Sequence, residues 1–405
     1  MRMEDNDVPF EIPEEQLKKM KTQEELEAYI SKLYKHAVQT MLKAEMDEHL
    51  GYKKHDPAGK NSGNSRNGTS SKTLKTNIGD IPLDVPRDRD SSFDPVLVPK
   101  HQRMSAKIEQ AIITMYSKGM STRDIEDTVN DIYGVKVSES SISSITSVVL
   151  DDIKQWQQQP LDAVYFIVWM DGIVVKVRHN GKVINKTIYL VVGVNRDGYK
   201  EVLGMWINET ESASFWMNAL NDLKARGVED VLIACTDNLP GIKQAIKAIF
   251  PQATTQLCIV HQIRNSCKYV AWKERKTFVT DLKMIYGAPN KDLAEEALRD
   301  FERKWGSKYG YAVKSWHDNW EYLTAFFDYP QEIRNLIYTT NPIESLNSAI
   351  RKYTRSKTQF PDDQAAMKSV FLAIRNVQRK WTMPLRNWGQ IVNQFVIIFE
   401  ERCRV

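Results

Sequence analysis

The sequence predicts a mixed fold, α+β passing into α/β, in which a sheet is wrapped by helices and preceded by a helical region. Two stretches carry that prediction. Residues 164–194 hold three strand-like runs divided by turn dipeptides, and residues 231–264, VLIACTDNLPGIKQAIKAIFPQATTQLCIVHQIR, read as strand, helix, strand. In the second stretch the apolar run 231–235 is too short for a helix and stops at Thr236-Asp237-Asn238. Ile242, Ala245, Ile246 and Ile249 then recur at helical spacing. A further strand over 254–259 follows Pro251, and Cys258, His261 and Arg264 come three residues apart as the next helix opens. In open sheets of this class ligands bind in the crevice beyond the strand C-termini, so Asp237 is placed for chemistry. Its ordinary alternative is to cap the helix that follows.

Composition bounds the remainder. A chain of 405 residues has room for several domains and a substantial core. Hydrophobic residues at 42% and charged residues at 27% are those of an ordinary soluble protein. The net charge is only +4, so binding to nucleic acid would have to come from local basic patches. Cys235, Cys258, Cys267 and Cys403 show no CxxC pair and no disulfide-like spacing. This fits a reducing cytoplasm and argues against a zinc ribbon or finger. The opening MRMEDNDVPFEIPEEQ is acidic where a signal peptide would be basic and then apolar, and no apolar run approaches the roughly 20 residues of a membrane span.

Six segments follow in order. Residues 1–50 pass from a polar start into a stretch rich in Glu, Lys, Leu and Met without glycine or proline from 14 on, predicting one or two helices and a candidate dimerisation surface. Residues 51–100 begin as a flexible basic loop, GKNSGNSRNGTSSK, and continue as a small hairpin-rich element with a turn signal at 77–80. Residues 101–157 are helical and have the layout of a helix-turn-helix. Ser121 and Asp124 open a short helix buried through Ile125 and Val129, and Gly134 breaks it. The second helix presents Ser138, Ser140, Ser141 and Ser144 outward, with Ile142, Ile145 and Val149 inward. Small hydroxyls let a helix sit deep in a major groove, and Arg123 lies close by; the alternative is a plain three-helix packing unit.

Residues 160–262 form the first part of the sheet domain. The run VYFIVWM, 164–170, reads as a central strand covered on both faces and ending at Asp171. Asp171-Gly172 is then expected to turn into a second strand, 173–178, which ends at Arg178, and residues 179–182 to turn into a third, 187–194. A helix over 211–226 precedes the strand leading to Asp237. Residues 263–338 are helical, charged and rich in tryptophan (Trp272, Trp305, Trp316, Trp320), as an α-helical insertion would be. Residues 339–405 resume the domain with TTNPIESLNSAIRK, a helix placing Glu344, Asn347, Ser348 and Arg351 on one face with Lys352 beside them, and end in helices rich in Trp and Phe.

Three acids stand out on successive core elements: Asp171, Asp237 and Glu344. If the first and fourth strands are neighbours, the two aspartates come side by side and a returning helix brings the glutamate across them. Clustered carboxylates repel one another and are tolerated when divalent cations neutralise them. Two such ions activate an attacking hydroxyl and stabilise the leaving oxygen of a phosphoryl displacement.

Several stretches together are specific: VPRDRDSSFDPVLVPK, YGVKVSESSIS, WMDGIVVKVR, VVGVNRDGYKEVLGMW, ESASFWMNALNDLKARGVEDV, CTDNLPGIKQAIKAIFPQATTQLCIVHQIRNSCKYV and TTNPIESLNSAIRKYTRSKTQFP. Through them the chain, over nearly its whole length, resembles the DDE transposases of bacterial insertion sequences in the Mutator-like superfamily. The resemblance implies a ribonuclease H-like catalytic domain, with Asp171, Asp237 and Glu344 as catalytic and metal-binding residues for two Mg2+ ions that Mn2+ can replace. Cys258 and His261 match the family's C-x-x-H signature, read here as shaping the active-site floor or touching DNA; a zinc site is disfavoured because only Cys267 lies close by in sequence as a further thiolate. Asn238 departs from the pattern, standing where glycine is usual.

Duplex DNA is the implied partner, both terminal inverted repeats and target. Arg66, Lys72 and Lys75 in the N-terminal third, and Arg178, His261, Arg264, Arg351 and Lys352 around the acids, are the expected phosphate contacts. The expected location is the cytoplasm, on the nucleoid when DNA is bound, with no membrane and with a homodimer or larger assembly joining two ends. Two rival readings stay open: a structure-selective nuclease of the same fold without strand transfer, and a DNA-binding regulator with an inactive catalytic domain. Joined products would exclude the first, and loss of cleavage with retained binding in Asp237→Asn would exclude the second.

Overall fold

The computed structural model describes residues 14–59, 62–76, 78–100, 102–210, 212–338 and 341–403. The chain divides into two compact units, one formed by residues up to 116 together with 121–146, the other by residues 117–120 and 147 onward.

In the first unit α1 (Glu14–Leu17) is followed by the long α2 (Gln23–Leu50). A reciprocal capping box opens α2, with Thr22 and Glu25 each accepting the other's backbone N–H, and Gly51 closes it in the left-handed region at φ 76°. Val38 and Leu42 on α2 pack on a two-stranded antiparallel ribbon, β1 (Arg66–Thr76) and β2 (Gly79–Asp88), through Leu74, Ile81, Leu83 and Val85. Residue 77 of the expected turn lies outside the described residues.

After α3 (Ala106–Ser117), the helix α4 (Thr122–Tyr133) starts at a capping box of Ser121 and Asp124 and stops at Gly134, φ 63°. Ser138 caps the next helix, α5 (Glu139–Gln157), by accepting the Ser141 N–H. Ile142 and Val149 are buried as the spacing predicts. Ile145 is only half-buried, and Thr146 takes the fully buried place.

The second unit is built on one mixed sheet of order β5-β4-β3-β6-β7. Its strands are β3 (Val164–His179), β4 (Lys182–Val194), β5 (Lys200–Asn208), β6 (Asp230–Thr236) and β7 (Thr254–Leu257). β3, β4 and β5 are antiparallel, whereas β6 and β7 run parallel to β3. The expected turn at Asp171-Gly172 does not exist, since both residues pair within one continuous strand, opposite Leu190 and Tyr189 of β4. Burial nevertheless changes there, from every residue in 164–170 to alternation in 173–178. The cause is the neighbour: β6 pairs with β3 only as far as Met170↔Thr236, and beyond it β3 has one face in solvent. The hairpin to β4 turns through Asn180 and Gly181, both at positive φ as a tight two-residue turn demands. β5 was not anticipated from the sequence.

Helices α6 (Ala213–Ala225) and α7 (Ile242–Ile249) cover one face of the sheet. Trp216, Leu220, Ile242 and Ile246 meet Tyr165, Val168 and Val231 there. Beyond β7 come α8 (Ile259–Ser266), α9 (Trp272–Tyr286), the kinked α10 (Lys291–Asp318), α11 (Trp320–Thr324) and α12 (Gln331–Ile337). Phe278, Phe301, Trp305 and Tyr309 stack edge-on or tilted between α9 and α10, which gives Trp305 its place, whereas Trp272 is exposed. Then α13 (Asn341–Thr354) returns against β3, followed by α14 (Asp363–Gln378) and α15 (Trp388–Phe399). Phe166 of β3 contacts Trp388 and Phe395, so α15 covers the face opposite Tyr165. Residues 339 and 340 of the expected start of α13 lie outside the described residues.

Candidate active site

The strand register decides where the acids go. Because Met170 and Thr236 are the last paired residues of the parallel strands β3 and β6, Asp171 and Asp237 follow side by side where β6 stops. Asp171 is buried. Its Oδ1 accepts the Gly172 N–H at 2.7 Å, and its Oδ2 accepts the Asn347 side-chain amide at 2.6 Å. Burial and the charges of Asp237 and Glu344 raise its pKa to about 6, against the opposing pull of the Gly172 N–H and of His261. Glu344 stands one turn before Asn347 on α13, so the helix bonded to Asp171 also presents the glutamate on the same side.

Asp237 is not a helix cap. α7 begins five residues later behind Gly241, whose φ of 79° suits glycine and whose absent side chain would strike Ala213. The Asp237 carboxylate turns to His261, with Oδ1 2.5 Å from Nδ1. Although close enough for an ion pair, neither atom has a hydrogen-bond partner of adequate geometry. Burial by itself would lower the His261 pKa, but Asp237 and the Cys258 thiol beside it raise it to about 10. Cys258 directly follows β7 and its N–H bonds the Thr236 carbonyl at 2.8 Å, which sets it level with Asp237 on the adjacent strand. Ligand atoms of Asp237, Cys258 and His261 lie within 4.8 Å of one another.

Arg264, one turn after His261, has its guanidinium 3.9 Å from Glu344 and is 64% exposed. Arg178, Arg351 and Lys352 are exposed. In the first unit Arg123, Ser138, Ser140 and Ser144 are exposed and Ser141 is half-buried, while Ser138, Ser140 and Ser141 also hydrogen-bond among themselves. Arg66, Lys72 and Lys75, expected on phosphates, make hydrogen bonds within the protein. Arg66 bonds Asp47 and the Tyr52 carbonyl and lies over the Tyr52 ring, Lys72 donates to the Pro99 and Lys100 carbonyls, and Lys75 donates to the Lys136 carbonyl. These cations hold the ribbon to its surroundings, a use that composition alone does not reveal.

The family model described as "Transposase, Mutator family" matches residues 8–384. The chain belongs to that family. It is 43% identical over 365 residues to the "Transposase for insertion sequence element ISRM3" of Rhizobium meliloti, covering 89% of this chain and 90% of the relative. It is also 32% identical over 365 residues to the "Transposase for insertion sequence element IS905" of Lactococcus lactis, covering 90% and 93%. The Mutator-family transposase described here is thus an enzyme class that acts on DNA. Among its described residues no helix is long and apolar enough to cross a membrane, and none of the four cysteines is in a disulfide.

Asn347 was overlooked as a site residue. Its signal was present: it stands three residues after Glu344, hence on the glutamate's side of the helix, and an asparagine buried there needs a polar partner.

Proposed function

We propose that this transposase binds the terminal inverted repeats of an insertion sequence and performs DNA strand cleavage and strand transfer with Asp171, Asp237 and Glu344 as its catalytic carboxylates. The observation that carries this reading is the meeting of three chain-distant elements: β3 and β6 deliver two adjacent aspartates, and α13 is tied to the first of them through Asn347. A sheet of three antiparallel strands continued by two parallel ones suits a ribonuclease H-like catalytic domain.

The donor set fits magnesium. Asp237 and Glu344 stand near enough to Asp171 to raise its pKa, which favours a divalent cation, and the buried Oδ1 of Asn347 lacks a hydrogen-bond partner within the protein. Asp171, Asp237 and Glu344 would hold two Mg2+ ions, or Mn2+ in their place. Such ions supply Lewis acidity for the attacking and leaving oxygens of an in-line phosphoryl displacement.

The chain's own residues do the rest. Asn347 holds Oδ2 of Asp171 through its side-chain amide and so fixes the orientation of that carboxylate. Arg264, beside Glu344 and largely exposed, can take a phosphate oxygen of the bound strand, with Arg178, Arg351 and Lys352 further along. In the first step water attacks phosphorus at the element's boundary and the 3′-oxygen leaves as a hydroxyl. In the second, that 3′-hydroxyl attacks a phosphodiester of the target, forming one P–O bond and breaking another. The helices α4 and α5 act as a helix-turn-helix, with Ser140 and Ser144 at the groove and Arg123 on phosphate. Joining two ends calls for a homodimer or larger assembly. Incubating the full chain with duplex carrying an element end, magnesium and target DNA tests the proposal, which requires both a boundary nick and a joined product.

A further inference from the structure

We propose that Asp237, Cys258 and His261 form a binding site for a thiophilic divalent cation of the zinc class, and that such an ion withdraws Asp237 from the magnesium-binding set. The site itself follows from strand register and helix spacing. The inhibitory consequence rests on the proposed role of Asp237.

Parallel pairing of Thr236 with Leu257 puts the next residue of each strand, Asp237 and Cys258, at one level on the rim of the sheet. Cys258 is also the N-cap residue of α8, and His261 follows one turn later on the same side of that helix. One carboxylate oxygen, one thiol sulfur and one imidazole nitrogen therefore converge, all within 4.8 Å of one another. Ligands on tetrahedral bonds of about 2.0–2.3 Å lie roughly 3.3–3.8 Å apart, so the three side chains reach such an ion by small rotations that part Asp237 Oδ1 from His261 Nδ1. Asp237 Oδ1 and His261 Nδ1 are both shielded from solvent and lie 2.5 Å apart, so the carboxylate and the imidazole are already turned towards one point.

The donor chemistry separates this site from the carboxylate cleft. Hard magnesium prefers oxygen ligands, whereas a thiolate with an imidazole selects zinc or cobalt. On coordination the Cys258 thiol and the imidazole nitrogen release their protons to solvent. Three protein ligands leave a fourth position open. Asp237 then has one carboxylate to serve two kinds of ion, so the thiophilic ion acts as a competitive brake on the magnesium-dependent site. The sequence alone gave only the C-x-x-H pair; the third ligand comes from the neighbouring strand.

Cobalt(II) is the probe, because a bound thiolate gives it a near-ultraviolet charge-transfer band and a tetrahedral field gives it strong visible bands. The full chain, without DNA, is titrated with Co2+ and then with Zn2+. The wild type and Cys267→Ser are expected to show both sets of bands, which zinc abolishes. Cys258→Ser, folded by near-ultraviolet circular dichroism, is expected to lose the sulfur band and to bind Co2+ more weakly by at least the roughly 10–100-fold that even an outer-shell substitution costs. Absence of a sulfur band in the folded wild type, or its persistence in Cys258→Ser, overturns the proposal. Because the spectra need no DNA, failure of magnesium-dependent cleavage would leave this result standing and count against the proposed reaction alone.

Discussion

The Asn347 side chain donates a 2.6 Å hydrogen bond to Oδ2 of Asp171, joining two residues 176 positions apart in the chain. It fastens the helix bearing Glu344 to the strand bearing the first aspartate, and it makes Asn347 a positioning residue. Asn347→Ala is expected to lower magnesium-dependent cleavage by about 10–100-fold and to raise the magnesium concentration needed for half-maximal rate. Titration of cleavage rate against magnesium reads both. A purely structural role would lower the amount of folded protein without moving the magnesium midpoint.

Gly172 sits between Asp171 and the half-solvated end of β3, where an added Cβ would lie 2.5 Å from Thr187 Cγ2 on the paired strand. Because the threonine is β-branched and held in the sheet, it has little freedom to move. Gly172→Ala should therefore cost about 1–3 kcal/mol in urea unfolding, and adding Thr187→Ser should recover most of that. An unchanged midpoint in the single variant would show that the two strands are not so closely paired.

In the first unit Asp88 is buried at the end of β2. Against the upward push of burial, hydrogen bonds from Asn64, Ser92 and the Phe93 backbone N–H hold its pKa well below the ordinary value of 3.8. A depressed acid stabilises the folded state above the unfolded-chain pKa, and that contribution is lost as pH falls through the folded value. The difference in denaturation midpoint between wild type and Asp88→Ala should be full at pH 7 and shrink progressively below about pH 4. A difference independent of pH would contradict the assigned network.

Arg264 and Arg66 are expected to behave oppositely. Arg264 is mostly exposed next to Glu344, so Arg264→Ala should weaken DNA binding and flatten the slope of log affinity against log salt by about 0.9 per lost phosphate contact. Arg66 is occupied by Asp47 and Tyr52, so Arg66→Ala should lower thermal stability and leave that slope unchanged. Filter binding over a salt series separates them.

Much of the sheet domain was legible because its signals are local. The apolar run 231–235 and the spacing of Ile242, Ala245, Ile246 and Ile249 correspond to β6 and the buried face of α7. What failed was non-local. A change from full to alternating burial at Asp171 looked like a strand end, because a sequence does not show where the neighbouring strand stops. β5 holds Gly204 in its middle, which weakens its pattern. The same limit hid the partners of Arg66, Lys72 and Lys75 and the approach of Asp237 to Cys258, each set by packing between elements distant in sequence.

The most direct measurement compares wild type with Asp171→Asn, Asp237→Asn and Glu344→Gln on a labelled duplex carrying an element end, with magnesium and target DNA. The account predicts a nick at the element boundary and a joined product for the wild type, and neither for the three variants despite retained binding to the end. Cleavage at wild-type rate in any one of them would contradict the shared carboxylate site.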